Sequence, residues 1–146
     1  MRKVMLVVGA AMLLSSALSA APAAATLPTD ETFLLQRDLS DFAEVGWSAE
    51  GTFADSGEWT SDGAAFGGGL QTGHITLFTT ETGSAGSFRL LFQGLENLVH
   101  PFSGNWQIID GTGAYTTLRG QGTWTVAPVP DTTLELFTLT GKVHFD

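Results

Sequence analysis

The sequence predicts an all-β protein in which about eight antiparallel strands close into a barrel. Three observations carry this prediction. From Val45 onward, apolar and polar residues alternate with the two-residue period of a half-buried strand. Short glycine-rich stretches separate the alternating segments, and connections this short join antiparallel neighbours. No stretch after residue 40 keeps an apolar stripe at helical spacing for three turns.

The alternative architecture is a β-sandwich. The chain has no cysteine, so it lacks the Cys…Trp…Cys marker of the immunoglobulin sandwich, although cysteine-free sandwiches exist. Glycines that mark bends in strands favour a sheet that closes on itself. A closed sheet with an apolar interior would also supply the stability that small extracellular domains often obtain from disulfides.

The first predicted elements lie between residues 26 and 81. Residues 26–40 hold a short strand or one helical turn around residues 33–35. Residues 58–66 form a shorter, less regular strand that ends in glycines, and residues 74–81 form a strand rich in β-branched and aromatic residues. Residues 45–54 form a strand between residues 26–40 and 58–66. Its apolar side is made by Val45, Trp47, Ala49, Gly51 and Phe53.

The later elements continue the alternation. Strands are predicted at residues 87–94, 105–110 and 120–126, and a long final strand at 134–145. Two stretches interrupt them. Pro101 predicts a loop over NLVHPFSG, and the prolines of APVPDT predict a second loop because proline cannot donate to a central ladder.

The glycine-rich stretch DGTGAYTTLRGQGTW at residues 110–124 is predicted to be a β-turn-β element. A phosphate-binding loop of the dinucleotide type needs a parallel strand before it and a helix after it. Here the chain returns directly to a β pattern, and no Lys-Ser or Lys-Thr pair follows. We interpret Gly111 and Gly113 as turn residues with positive φ. We interpret Gly120 and Gly122 as the site of a bulge or a sharp bend.

The stretch NWQIIDGTGAYTTLRGQGTWTV resembles the glycine-rich signature of the allene oxide cyclase and dirigent-like barrels. The stretches GSFRLLFQG and TGKVHFD fit the same pattern, and the resemblance covers roughly residues 45–146. It implies a secreted bacterial relative with an eight-stranded antiparallel barrel whose apolar interior opens at one end. Characterised members guide reactive, mostly apolar intermediates into one stereochemical product, largely by shape. The resemblance transfers no catalytic residue to this sequence.

Residues 1–25 are predicted to be a secretory signal peptide. A positive start, MRK, precedes a mostly apolar run and a stretch of small residues, PAAAT. Cleavage is expected after Ala25, with Ala21 as the alternative site. A membrane anchor is the competing interpretation, and the serines within the apolar run argue against it. Residues 26–146 are then a single domain of a secreted or extracytoplasmic protein, without an integral membrane segment.

Composition excludes several partners and cofactors. The chain has fifteen acidic and six basic residues, and loss of Arg2 and Lys3 with the signal peptide takes the formal net charge from −9 to −11. A nucleic-acid partner is not expected, because such binding needs basic side chains that displace counterions from phosphates. Without cysteine there is no thiolate nucleophile and no cysteine-based zinc site. No nucleotide or metal motif is present, so no cofactor and no metal are expected.

Large rings are the candidate ligand-binding residues, because alternation aims them at the apolar side of their strands. They are Trp47, Phe88, Phe92, Trp106 and Trp124, and Trp59 is a weaker candidate. Such rings either line a pocket or fill a core. The candidate polar groups of a cavity are Glu50, Arg89 and Arg119, each of which equally suits an exterior position. Spacing gives no metal-site pattern for the three histidines or for the acidic residues near one turn, which are His74, His100, His144, Asp55, Glu58 and Asp62.

Three functions stay open on the sequence alone. The first is a small secreted barrel that binds an apolar or aromatic molecule in its interior. The second is a cyclase or isomerase without a cofactor, which directs the stereochemistry of an apolar intermediate. The third is a structural or partner-binding extracellular domain. A binding role is favoured over catalysis because no catalytic residue can be assigned, and the sequence indicates no oligomeric state.

Overall fold

The computed structural model describes residues 25–67, 73–97 and 100–146, which form eight strands and one turn of 3-10 helix. The strands are β1 (Thr29–Asp38), β2 (Glu44–Gly51), β3 (Asp55–Gly67), β4 (Gly73–Gly83), β5 (Ser87–Asn97), β6 (His100–Gly111), β7 (Leu118–Pro128) and β8 (Leu134–Phe145), and the 3-10 turn is Gly113–Tyr115. Each strand pairs antiparallel with the next, and β8 pairs with β1. The predicted closed antiparallel barrel is confirmed, and a sandwich is not needed.

β1 is a complete strand of ten residues, and no helical turn forms at residues 33–35. Phe33 and Leu35 are buried, whereas Leu34 between them is half-buried. The strand pairs on both sides, with β2 and with β8. Because β1 and β8 come from opposite ends of the domain, the pairing that fixes this strand is invisible to local sequence patterns.

Most strand boundaries differ from the sequence-based expectation, and the largest differences concern β6, β7 and β3. β6 begins at His100 and includes Pro101, and β7 continues to Pro128, so both predicted loops are too long. Each proline lies at or next to a strand end, where its missing N–H does not interrupt a central ladder. β3 is thirteen residues long rather than short, and its irregularity is a register shift between Ser61 and Gly63.

Side chains at alternate positions of the strands point into the barrel and form one core. The barrel has two ends, which are named here after one residue at each. At the Tyr115 end, residues 52–54, 84–86 and 112–117 connect the strands, whereas at the Arg37 end residues 39–43 and 129–133 do so. The core contains apolar residues from every strand, namely Phe33, Leu35, Trp47, Ala49, Trp59, Leu77, Phe88, Leu90, Phe92, Trp106, Ile108, Leu118, Trp124, Val126, Phe137, Leu139 and Val143, with Tyr115 from the 3-10 turn.

Across the described ranges, none of the helical structure is long and apolar enough to cross a membrane. The predicted signal peptide, residues 1–25, lies outside the described residues apart from Ala25 itself.

Candidate functional site

All five predicted ligand-binding rings point into the barrel and are 1–3% exposed. They fall into two groups of rings in contact. Toward the Tyr115 end, the ring centroids of Trp47 and Phe88 are 5.2 Å apart, and Phe33 joins Phe88 to Trp106 at 5.5 and 5.4 Å. Toward the Arg37 end, Phe92 and Trp124 are 5.8 Å apart, and Phe137 contacts both, at 6.4 and 6.2 Å. At these distances the rings pack on one another and fill the space between the strands.

Three of the tryptophans share one arrangement, in which an indole extends from its own strand across glycines on the next two strands. The indole N–H then donates to the carbonyl that precedes the second glycine. Trp106 faces Gly122, which pairs with Gly141, and Trp106 Nε1 donates to the Thr140 carbonyl at 3.2 Å. The other two sets are Trp47 with Gly57, Gly83 and the Thr82 carbonyl at 3.1 Å, and Trp124 with Gly104, Gly94 and the Gln93 carbonyl at 3.3 Å.

This arrangement explains Gly122 and corrects its predicted role. β7 runs through Gly120 and Gly122 without a register shift toward β6 or β8, so there is no bulge there. A Cβ on Gly122 would lie 2.0 Å from the Thr140 carbonyl oxygen, and one on Gly120 would lie 2.6 Å from a methyl of Val143. These glycines therefore supply room for neighbouring side chains and strands rather than a special backbone conformation.

Of the two predicted turn glycines, Gly113 has the positive φ that was predicted and Gly111 does not. Gly113 has φ of +59°, which favours glycine, and it opens the single 3-10 turn. Gly111 does not have positive φ. Instead, a Cβ on Gly111 would lie 2.2 Å from the carbonyl oxygen of Tyr115, so this position also needs glycine for space. The predicted β-turn-β element is confirmed, and the turn between β6 and β7 contains the single 3-10 turn Gly113–Tyr115.

Sequence reasoning missed the polar groups of the interior, which are Thr79, Glu81 and Glu31. Glu81 is 0% exposed and lies between Trp59 on β3 and Phe88 on β5 in the strand register. Thr79 Oγ1 donates to Glu81 Oε1 at 2.6 Å, while Oε2 has no hydrogen-bond partner among the described residues. Burial raises the pKa of Glu81 to about 8, so the carboxyl is mainly protonated at neutral pH. Alternation along β4 could have predicted this burial, because Leu77, Thr79 and Glu81 share one face of the strand.

Glu31 is the second buried carboxyl and lies near the Tyr115 end. It is 2% exposed, and its Oε2 accepts a hydrogen bond from the Phe53 backbone N–H at 3.2 Å. Its Oε1 has no partner among the described residues. Burial raises the pKa of Glu31, and backbone hydrogen bonds from residues 32, 52 and 53 oppose that rise. The interior thus holds two carboxyls, Glu31 on β1 and Glu81 on β4.

The three predicted polar cavity residues instead lie outside the barrel. Glu50 is exposed on β2. Arg89 lies 3.5 Å from Asp62 and 3.3 Å from Asp110 in a surface ion-pair cluster. Arg119 pairs with Asp146 at 3.3 Å. Surface pairs of this kind contribute little to stability, and none of these side chains reaches the interior.

Within the described residues, no group of three or more histidine, aspartate or glutamate side chains is placed to hold a metal ion. His144 Nε2 lies 3.0 Å from Asp146, and His74 is exposed. The side chain of His100 lies outside the described set. Of the acidic turn residues, Glu58 is exposed, and Asp62 belongs to the Arg89 cluster.

The third acidic turn residue, Asp55, accepts hydrogen bonds from two of the connections at the Tyr115 end. Its carboxylate accepts hydrogen bonds from the Tyr115 hydroxyl at 2.5 Å and from the Ser84 hydroxyl and backbone N–H at 2.8 and 3.2 Å. Burial alone would raise the pKa of Asp55, but the hydrogen bonds from Tyr115, Ser56 and Ser84 outweigh it and hold the pKa well below its usual range. Burial and the Asp55 carboxylate raise the pKa of Tyr115. This end of the barrel is therefore closed by a specific polar contact.

At the Arg37 end, the interior-facing pair Arg37 and Glu135 links β1 to β8. Arg37 Nε donates to Glu135 at 2.5 Å, and the guanidinium lies 5.3 Å from the centre of the Phe137 ring. Beside it, the β1–β2 connection carries Phe42, which is 65% exposed and has φ of +60°. Among the described residues, Arg37, which is paired with Glu135, therefore lies over Phe137 at this end of the core.

The outer face of β5, β6 and β7 carries a groove of about 440 Å³. Exposed neutral side chains line it, together with the half-buried Leu91, and Trp106 and Gly122 form its floor. The neutral polar residues are Gln93, Asn105, Gln107, Gln121 and Thr123. They are cross-strand neighbours, because Gln93 pairs with Asn105 and Gln107 pairs with Gln121. A contiguous set of uncharged amides is unexpected on a chain of net charge −9.

Comparison with known proteins adds no assignment. No protein-family model, no curated protein and no solved structure matches this chain. Its function is therefore inferred from the barrel's packing and from the chemistry of its surface.

Proposed function

We propose that this chain is a secreted or extracytoplasmic β-barrel domain that acts by binding a partner on its outer surface. The observation that carries the proposal is the filled interior. In the described part of the chain, Phe33, Phe88, Leu90, Phe92 and Trp106 are at most 2% exposed. Such burial leaves no room for a solvent-sized probe beside these side chains, so a ligand could reach them only if their packing opened.

The tryptophan–glycine contacts are the physical reason for the filling. Eight-stranded barrels have an interior that side chains can just fill. Here each indole packs against the second glycine of its set, where a Cβ would lie 2.6–2.9 Å from the ring, and its N–H donates to a backbone carbonyl of the same barrel. The polar contacts of Asp55 with Tyr115 also cover the Tyr115 end. The outer face is therefore the surface that we propose for recognition.

Binding of a small apolar molecule in the interior is the competing role, and one experiment separates the two. The neutral probe N-phenyl-1-naphthylamine is titrated into the mature protein while its fluorescence is followed. A filled interior gives no enhancement with the natural chain. Trp106→Ala removes one indole, and the cavity that it leaves should gain binding of benzene, which is measured in parallel. An interior pocket gives the opposite pattern, with binding by the natural chain that Trp106→Ala weakens.

Controls keep this experiment interpretable. Ile109→Ala alters the neighbouring exposed position on β6, where the side chain is 36% exposed, and should leave the probe signal unchanged. Trp-to-Ala changes in cores cost about 3–5 kcal/mol, so Trp106→Ala is first checked for cooperative unfolding. If it does not fold, Leu90→Ala, at a position 0% exposed, replaces it with benzene as the probe.

A second candidate is proton transfer to an apolar intermediate at Glu81, as a cyclase or isomerase without a cofactor would require. The fully buried Oε2 without a partner among the described residues favours it, and a carboxyl with a pKa of about 8 suits a general acid near neutral pH. A substrate would have to displace the packing of Trp59 or Phe88. In protein labelled with ¹³C at glutamate, a panel of neutral apolar alcohols and ketones should shift the Glu81 carboxyl resonance. An unmoved resonance across the panel would contradict this candidate.

A further inference from the structure

We propose that the groove on β5, β6 and β7 binds a neutral polysaccharide through its amide and hydroxyl side chains. The inference rests on the proposed function, because it names the ligand of the outer surface. Gln93, Asn105, Gln107 and Gln121 all line the groove with exposed side chains. Each amide offers both donors and an acceptor, which is what adjacent sugar hydroxyls require.

Charge selects the class of ligand. No charged residue lines the groove, although acidic residues outnumber basic ones by fifteen to six in the chain. The basic residues at its edge are paired with carboxylates, since Lys142 lies 2.8 Å from Asp30 and Arg119 lies 3.3 Å from Asp146. A phosphate, sulfate or uronate would therefore meet no uncompensated cation, and a polycation would meet no carboxylate in the groove. A neutral ligand rich in hydroxyls is the partner that fits this charge pattern.

The neutral polar residues form a row across the groove. In the strand register, Gln93 pairs with Asn105, and Asn105 pairs with Thr123. The row crosses three neighbouring strands and, at about 4.8 Å between strands, is roughly 10 Å long. Because the groove lies on the outer face, neighbouring sugars of a chain can extend from it in either direction. Leu91 lies beside the row and offers an apolar contact for the C–H face of a sugar ring.

Affinity electrophoresis of the folded mature protein tests the proposal. Gels contain one soluble neutral polymer each, namely a β-glucan, xyloglucan, galactomannan or pullulan, with alginate and chitosan as charged comparisons. We expect at least one neutral polymer to retard the protein. The double change Gln107→Ala with Gln121→Ala should then raise the dissociation constant at least tenfold. Gln36→Ala changes an exposed amide on β1 away from the groove and is the matched control.

Three results would overturn the proposal: no retardation by any neutral polymer, retardation by charged polymers alone, or equal loss in Gln36→Ala. Unfolding midpoints of all variants are measured in parallel, and Asn105→Asp supplies a second variant that keeps the shape but adds charge. It should also weaken binding at least tenfold. Failure here leaves surface binding of another partner intact. The proposed function itself fails only if the naphthylamine probe enters the barrel of the natural chain.

Discussion

Glu81→Gln should remove a large pH dependence of stability, because the natural chain buries a carboxyl that must lose its hydration to ionise. The pKa of Glu81 is about 8 in the folded barrel and near its ordinary 4.5 once unfolded. The folded state therefore holds more protons, so the free energy of unfolding is greatest below pH 4.5 and falls as pH rises toward 8. This difference between the folded and unfolded pKa of Glu81 corresponds to about 5 kcal/mol in the free energy of unfolding, at about 1.4 kcal/mol per pKa unit.

The assay is urea unfolding followed by tryptophan fluorescence at pH 5, 6, 7 and 8, for the natural chain and Glu81→Gln. The difference between the two curves isolates Glu81, because other groups titrate alike in both proteins. The natural chain should lose roughly 3–4 kcal/mol relative to the variant between pH 5 and pH 8. Burial also raises the pKa of Glu31. A residual slope of the same sign in Glu81→Gln is therefore expected from Glu31.

A difference curve that stays flat from pH 5 to pH 8 would refute the reasoning, since it would mean that Glu81 is hydrated or paired. Glu50→Gln is the matched control, because Glu50 is an exposed carboxylate on the outer face of β2. Its difference from the natural chain should not change over the same range. The amide that Glu81→Gln introduces keeps the shape of the protonated acid, so any constant offset between the curves carries no information about ionisation.

Three further predictions concern the barrel and its processing. Gly122→Ala should destabilise the protein by about 1–3 kcal/mol through overpacking, because a Cβ there would lie 2.0 Å from the Thr140 carbonyl oxygen. Gly46→Ala should cost less, because a Cβ at Gly46 would lie 3.2 Å from the Gly57 carbonyl oxygen. Equal midpoints in urea would contradict the steric account. Tyr115→Phe should cost about 1.5–3 kcal/mol at pH 7 through the lost hydrogen bond to Asp55. That cost should shrink as pH falls below 3.8, because the lowered pKa of Asp55 gives stability that acid removes; a loss independent of pH down to 2 would argue against the contact. Intact mass of the exported protein should place its first residue near Thr26, and a mass that retains residues 1–20 would refute the signal peptide.

Most of the fold could be predicted from the alternation of apolar and polar residues along single strands, because this pattern is local in sequence. It places Trp47, Phe88 and Trp106 on interior faces, as observed. The β1 strand was ambiguous because its identity depends on pairing with β8, more than 90 residues later. Proline breaks in the pattern were overread, since Pro128 sits at a strand end where its missing donor is harmless.

The interior chemistry was harder to predict because it depends on register between strands. Nothing near Trp106 in sequence shows that Gly141 leaves room for its indole, or that the Thr140 carbonyl accepts its N–H. The contact of Tyr115 with Asp55 likewise joins residues sixty positions apart. Glu81 was overlooked for a different reason. A charged residue type on an apolar face contradicts the pattern from which cores are predicted.

Xenon binding in crystals of the mature protein tests the central claim most directly, namely that the barrel interior is filled and recognition occurs outside. Xenon enters preformed apolar cavities without needing a specific ligand. The account predicts no xenon site inside the barrel beside Phe88, Leu90 or Trp106 in the natural chain, and a new site in Trp106→Ala. Interior xenon in the natural chain would contradict the account and restore an enclosed ligand as the explanation of the fold.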